Sequence, residues 1–142
     1  MTRFVTSIVA ATILLASLSG CGQSPYCKAV DDNKVALNSL GEQRTNEAYR
    51  QYARAFRTVA NVAPDDVRED WAKLADVTDG VVAAQNKAGI KMEDMLDENE
   101  VTKVPTDKLK LLNDAYQAFN DTGKERKAVV ENVKAECDIT LT

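Results

Sequence analysis

Histidine is missing from the chain, which removes the most common general base of serine and cysteine hydrolases. From Cys21 to the C-terminus there are only two serines, Ser24 and Ser39, and neither lies in a G-x-S-x-G nucleophile motif. Glycine-rich phosphate-binding loops of the Walker and Rossmann types are also missing. Carboxylates are plentiful, but a catalytic pair of carboxylates needs a cleft that a small domain rarely supplies. The sequence predicts a protein that is not an enzyme and that holds no cofactor.

A surplus of positive charge is missing as well, since 18 lysines and arginines face 22 aspartates and glutamates. Without residues 1–20, whose only charged side chain is Arg3, 17 basic residues face 22 acidic ones, for a net charge of −5. Phosphate binding needs a concentrated positive field. We therefore expect no nucleic acid partner.

A hydrophobic run long enough to span a membrane is not found at the N-terminus. The apolar segment from Phe4 to Leu18 has 15 residues, whereas a membrane-spanning helix needs roughly 20. A single positive charge, Arg3, precedes it, which is the arrangement of a secretory signal peptide.

The residues after this segment, Leu18-Ser19-Gly20-Cys21, match the lipobox of bacterial lipoproteins, in which the cysteine is lipidated and becomes the first residue of the mature chain. A plain secretory signal is the alternative. The lipobox predicts a signal peptide over residues 1–20, lipidation of Cys21 and a short tether over residues 21–25. The folded domain, residues 26–142, would then be held on the extracytoplasmic face of the cell membrane by acyl chains.

Cysteines are few, three in all. With Cys21 assigned to lipid, Cys27 and Cys137 remain, in a compartment that permits disulfides. Two free thiols or a metal pair are the alternatives, but two cysteines without histidine give too few ligands for zinc. We predict a Cys27–Cys137 disulfide that joins the start of the first helix to the end of the last, and no metal site.

Strand-like alternation is absent, and helical periodicity with helix-start and helix-stop residues occurs almost throughout. Five helices are predicted, over about residues 25–40, 46–62, 65–88, 106–119 and 123–137. The predicted N-terminal signals are Ser24 with Pro25, Thr45 or Asn46, Pro64, Thr106, and a capping box formed by Thr122 and Glu125. Residues 90–105 are predicted to be irregular, with room for a short helical turn and with Met92, Met95 and Leu96 as packing anchors. The expected fold is all-α, an antiparallel bundle of four to five helices closed by one disulfide.

Three segments resemble a known group of proteins. They are Tyr26-Cys27-Lys28-Ala29-Val30, Ala63-Pro64-x-x-Val67-x-x-Asp70-Trp71, and Glu136-Cys137-Asp138-Ile139-Thr140-Leu141. Together they are similar to small actinobacterial lipoproteins with a helical domain and one terminal disulfide. The resemblance covers nearly all of residues 21–142 and implies the fold and the location, but that group contributes no activity and no site residues.

Three arginines of the second predicted helix share one face, because Arg50, Arg54 and Arg57 are spaced by four and three residues. One hypothesis is that they contact anionic lipid head groups, since the short tether keeps the domain within roughly 14 Å of its anchor. The favoured interpretation is a solvated face or a set of ion pairs. The carboxylates considered as partners are Glu47, Glu69 and Asp70.

Two further patterns are interpreted as structural. The acidic residues from Glu93 to Glu100 suit calcium chemically, but their spacing differs from that of an EF-hand, so a solvated loop is favoured. The aromatic side chains could form a stacking box for a ligand, but their spacing is that of core positions. They are Tyr49, Tyr52, Trp71 and Tyr116.

Three classes of function are weighed. The favoured one is a non-catalytic interaction module that binds an envelope protein or polymer through a helical face. The alternative is a small-molecule or lipid binder with a cavity between helices. Several inward-facing alanines permit such a cavity, because their side chains are too small to fill the bundle. They are Ala53, Ala60, Ala84 and Ala88. An enzyme would need a cleft with strongly perturbed titratable groups.

Overall fold

The computed structural model describes residues 23–142, so the predicted signal peptide and Cys21 lie outside the described residues. Six α-helices and one 3-10 helix follow one another in the described part. They are α1 (Pro25–Asn38), α2 (Asn46–Ala60), α3 (Asp65–Ala88), the 3-10 helix (Met92–Leu96), the single-turn α4 (Glu98–Val101), α5 (Thr106–Asn120) and α6 (Gly123–Cys137). The prediction of an all-α bundle closed by one disulfide is confirmed.

The longest helix, α3, is the centre of the bundle, with α2 on one side and α5 and α6 on another. The last two helices lie end to end along α3. Tyr116 of α5 meets Gln85 near the end of α3, whereas Asn132 of α6 meets Asp66 near its start. Helix α1 packs against α2 and α6. The bundle therefore has four helical positions: α1, α2 and α3 occupy one each, and α5 and α6 together occupy the fourth.

Local signals placed several helix ends correctly. The Ser24 Oγ accepts the N–H of Cys27 at 3.1 Å, and the Thr45 Oγ1 accepts the N–H of Ala48 at 3.1 Å, as expected of N-caps. Gly89 ends α3 with a φ of 73°, a left-handed conformation that glycine adopts without steric cost. These three predictions are confirmed.

The predicted capping box at Thr122 is wrong. Thr122 has φ −84° and ψ 21°, not the extended conformation of a capping residue, and its Oγ1 donates backward to the carbonyl of Phe119 at 2.7 Å. The Glu125 Oε2 is buried without a hydrogen-bond partner. The prediction that Thr106 caps a helix is also wrong, since Pro105 occupies that position and offers no side-chain hydrogen bond.

The main core contains the predicted aromatic residues. Trp71 is completely buried and Tyr49 and Tyr52 are nearly so, which confirms them as core positions, whereas Tyr116 is half-buried. The prediction that Leu96 is a packing anchor is wrong, because its side chain is 83% exposed. It lies on the solvent side of the 3-10 helix.

Residues 90–105 are more ordered than the sequence suggests. The predicted helical turn is α4, and a second small core forms around Ala84, Ile90 and Leu112. The 3-10 helix is fastened to the start of α2, because the Asn46 Oδ1 accepts the N–H of Met92 at 3.0 Å. The Glu93 Oε2 accepts the N–H of Asn46 at 3.2 Å. This reciprocal pair connects residues that are far apart in the sequence.

The predicted disulfide is confirmed: Cys27 and Cys137 are bonded, with their Cα atoms 5.3 Å apart. Beyond it the chain turns back, with Leu141 buried in the main core and the N–H of Thr142 donating to the Asn38 Oδ1 at 3.0 Å. Within residues 23–142, no helix combines the length and apolar character needed to cross a membrane.

Candidate functional site

A cleft of about 520 Å³ opens at the end of the bundle where α1 stops. We call it the aromatic–methionine cleft. Its walls come from the α1–α2 loop, from α2, from the 3-10 helix and from α5. The lining residues are Gly41, Arg44, Tyr49, Met92, Glu93, Met95, Leu96, Tyr116, Phe119 and Asn120. Four separate segments of the chain therefore build one concave site.

The base of the cleft is apolar and well packed. Tyr49, Met92 and Phe119 are each only 6% exposed, and the rings of Tyr49 and Phe119 pack with their centroids 5.4 Å apart. Met95 and Leu96 of the 3-10 helix form the more exposed rim. Unbranched methionine side chains adapt to ligands of different shape. The cleft thus combines a rigid aromatic base with an adaptable rim.

Two hydrogen bonds fix the position of the Tyr116 hydroxyl. It accepts a hydrogen bond from the Gln85 Nε2 at 2.7 Å and lies 3.4 Å from the Met95 Sδ, to which it donates. Burial, opposed by the bond from Gln85 and by the charge of Arg44, raises the pKa of Tyr116 to about 12. The group is therefore a neutral hydrogen-bond donor at physiological pH. A thioether is a weak acceptor, so a better acceptor could replace Met95.

Tyr49 is in a similar environment. Burial raises its pKa, while the charges of Arg44 and Arg126 act in the opposite direction. Arg126 lies over the ring of Phe119, 5.1 Å from its centroid, and donates to the carbonyl of Phe119 at 2.9 Å. It thereby stabilises the C-terminus of α5, which forms one wall of the cleft.

Two charged side chains line the cleft. The carboxylate of Glu93 already accepts hydrogen bonds within the protein, from its own backbone N–H and from that of Asn46. These bonds lower the pKa of Glu93 and keep it ionised. Arg44 is exposed and forms no ion pair with a carboxylate of residues 23–142. The arrangement offers an apolar surface, two phenols and one guanidinium group, which together can bind a molecule that is apolar at one end and polar at the other.

The arginine face predicted on α2 exists, but its charges are compensated. Arg50 and Arg54 both pair with Glu47, at 3.5 Å and 3.1 Å. Arg57 pairs with two carboxylates of α3, Asp79 at 2.6 Å and Asp76 at 3.2 Å.

Three arginines and three carboxylates leave this face without net formal charge. Of the partners considered from the sequence, Glu47 is confirmed, whereas Glu69 and Asp70 are wrong, because the three arginines pair with Glu47, Asp76 and Asp79 instead. Glu69 and Asp70 line a shallow groove on the α6 side together with Glu125. Contact with lipid head groups stays a prediction, and the ion pairs weaken the case for it.

The acidic segments form no obvious metal site. Within the part of the chain that the structure describes, no three cysteine, aspartate or glutamate side chains are grouped so that they could hold a metal ion. In the groove on the α6 side, burial and the charge of Glu125 raise the pKa of Asp70. The raised pKa thus reflects the burial of Asp70 and its repulsion by a second carboxylate at the junction of α3 and α6.

The aromatic–methionine cleft was not predicted as a site. The sequence indicated Met92, Met95 and Leu96 as packing anchors and assigned Arg44 no role. A ligand-stacking box that included Tyr49 and Tyr116 was considered, but core packing was favoured. A scan against protein-family models and searches of the curated proteins and of the solved structures found no match to this chain.

Proposed function

We propose that this chain is a lipid-anchored, non-catalytic binding protein of the bacterial cell envelope that takes up an apolar small molecule in the aromatic–methionine cleft. The observation that carries the proposal is the cleft itself, about 520 Å³ in volume with an aromatic base. Ligand pockets typically measure ~300–1,000 Å³ and combine apolar walls with a few polar groups. Tyr116 and Arg44 are such groups in this cleft.

Docking of an envelope protein or polymer on a helical face was the interpretation favoured by the sequence. The most exposed large apolar side chains of the described residues are Val35, at 87%, and Leu96, at 83%, and they belong to different elements. Single exposed apolar residues are ordinary on soluble domains. Leu96 moreover lines the cleft, so the exposed surface favours the small-molecule interpretation.

The orientation follows from the anchor. The disulfide holds the start of α1 beside the end of α6, close to Cys21 in the sequence. The cleft begins beyond the other end of α1, which at ~1.5 Å per residue is about 20 Å farther along the bundle. A lipid on Cys21 would therefore direct the cleft away from the membrane surface.

The anchor is tested by replacing Cys21 with serine, which removes the thiol that would carry the lipid. The unchanged protein should incorporate labelled palmitate and lose residues 1–20. The C21S protein should incorporate no label and keep residues 1–20, because cleavage before residue 21 follows lipidation. Equal incorporation of palmitate by the two proteins would contradict lipidation at this residue.

Ligand binding is tested with residues 21–142 carrying C21S, which omit the apolar predicted signal peptide, keep every residue that the structure describes and need no detergent. The probe is 1-N-phenylnaphthylamine, a neutral apolar fluorophore whose emission rises on burial. We expect saturable micromolar binding, and we expect Leu96→Glu to weaken it about tenfold, because it places a charge where an apolar side chain of the rim contacts the probe.

Val35→Glu is the matched control, since Val35 is as exposed as Leu96 but lies on α1, outside the cleft. It should leave probe affinity unchanged. Equal effects of the two substitutions, or no saturable binding by the parent chain, would rule out the cleft as the site.

A further inference from the structure

We infer that the natural ligand of the aromatic–methionine cleft is a free single-chain amphiphile with one anionic head group, and that Arg44 binds this head group. The inference rests on the proposed function, since it places the ligand in the same cleft. It adds the chemical class of the ligand and the residue that selects it.

The size of the cleft favours one chain. A volume of about 520 Å³ lies within the ~300–1,000 Å³ range of pockets that take one small molecule. One acyl chain of medium length with its head group belongs to that size class, whereas a bilayer phospholipid carries two long chains.

The charge of the cleft favours an anion. Arg44 differs from the arginines of α2, since Arg54 and Arg57 have carboxylate partners within 3.2 Å and Arg44 has none among residues 23–142. The one carboxylate that lines the cleft, Glu93, accepts the N–H of Asn46 at the start of α2. Arg44 is therefore the charged group that remains for a ligand.

Arg44 lies close enough to both phenols for its charge to lower the pKa of Tyr49 and of Tyr116 against the effect of burial. An anionic oxygen beside Arg44 would also be a better acceptor for the Tyr116 hydroxyl than the Met95 thioether is.

The test is displacement of 1-N-phenylnaphthylamine from the C21S chain of residues 21–142 by three compounds with the same ten-carbon chain: decanoate, decanol and decylamine. All are used at pH 7.5 and below the concentrations at which they aggregate. Decanoate should displace the probe at about tenfold lower concentration than decanol, because an anionic head group forms a charge-assisted hydrogen bond with a guanidinium group.

Arg44→Gln should bring decanoate to the level of decanol while decanol itself is unaffected, which also shows that the variant is folded. Arg44→Lys should keep part of the preference. Arg54→Gln is the matched control, since Arg54 is also an exposed arginine but lies outside the cleft and pairs with Glu47. It should leave all three compounds unchanged.

The results distinguish a failure of the proposed function from a failure of the assigned head group. If the probe does not bind, or binds equally to the Leu96→Glu variant, the proposed function fails. If the probe binds in the cleft but decanoate does not exceed decanol, or Arg44→Gln keeps the preference, the inference about the head group is wrong and the proposed function stands. Co-sedimentation of the same chain with phosphatidylglycerol vesicles that is lost in Arg44→Gln would overturn the free amphiphile in favour of a bilayer lipid. A preference for decylamine would overturn the assigned charge.

Discussion

Replacing Cys27 and Cys137 together with serine should lower the free energy of unfolding by about 4.7 kcal/mol, the entropic effect of a cross-link that closes a loop of ~100 residues. The two cysteines are 110 positions apart, so the bridge encloses nearly the whole described domain. Most of the loss of stability arises because the unfolded chain gains conformational freedom when the cross-link is removed. The measurement is urea unfolding of the C21S chain of residues 21–142 with and without the two replacements.

The size of this effect matters because a domain of ordinary size has only ~5–15 kcal/mol of total stability. We expect the melting temperature to fall by about 15 °C or more. Reduction of the parent chain with a thiol reagent is the control, and it should reproduce the double replacement. A loss below ~1 kcal/mol would mean that the unfolded chain stays compact without the bridge.

Replacing Trp71 with alanine should cost about 3–5 kcal/mol, the range for removing a large buried aromatic side chain. Trp71 is completely buried and packs against Phe56, with ring centroids 6.0 Å apart. Its Nε1–H donates to the Tyr26 hydroxyl at 3.2 Å, which in turn donates to the Asn132 Oδ1 at 2.9 Å. The side chain thus connects α3 to both α1 and α6.

The polar part of this effect can be measured separately. Trp71→Phe keeps most of the ring volume but removes the donor, and Tyr26→Phe removes the acceptor. A double-mutant cycle of these two changes should give a coupling of about 1 kcal/mol. Val130→Ala, on the exposed side of α6, should cost less than ~0.5 kcal/mol and serves as the control. Similar losses for Trp71→Ala and Val130→Ala would contradict the assigned core.

The sequence predicted the features that depend on neighbouring residues. Ser24 and Thr45 act as caps because each needs only a backbone N–H three residues ahead. The same reasoning failed at Thr122, because the turn between α5 and α6 fixes its backbone outside the capping conformation. The cysteine pairing could be predicted because only two thiols were left to pair.

The cleft could not be predicted, because its residues meet only through tertiary packing. Asn46 and Met92 are 46 positions apart, and Gln85 and Tyr116 are 31 positions apart. Helical spacing marks Tyr116 as inward-facing but gives no sign that a thioether and an amide will meet its hydroxyl. Arg44 lies in a loop, where no periodicity exists to assign it a direction.

The break between α5 and α6 at Thr122 separates the domain into two halves that are held together by different interactions. The α6 half is held covalently through Cys137, whereas the α5 half and the 3-10 helix are held by packing and by hydrogen bonds such as that between Asn46 and Met92. A cross-link limits the freedom that the residues beside it gain on opening, so opening costs less in the half that has none. Amide exchange should therefore be faster around the cleft, and a ligand could enter by loosening the α5 half while the half beside the anchor keeps its shape.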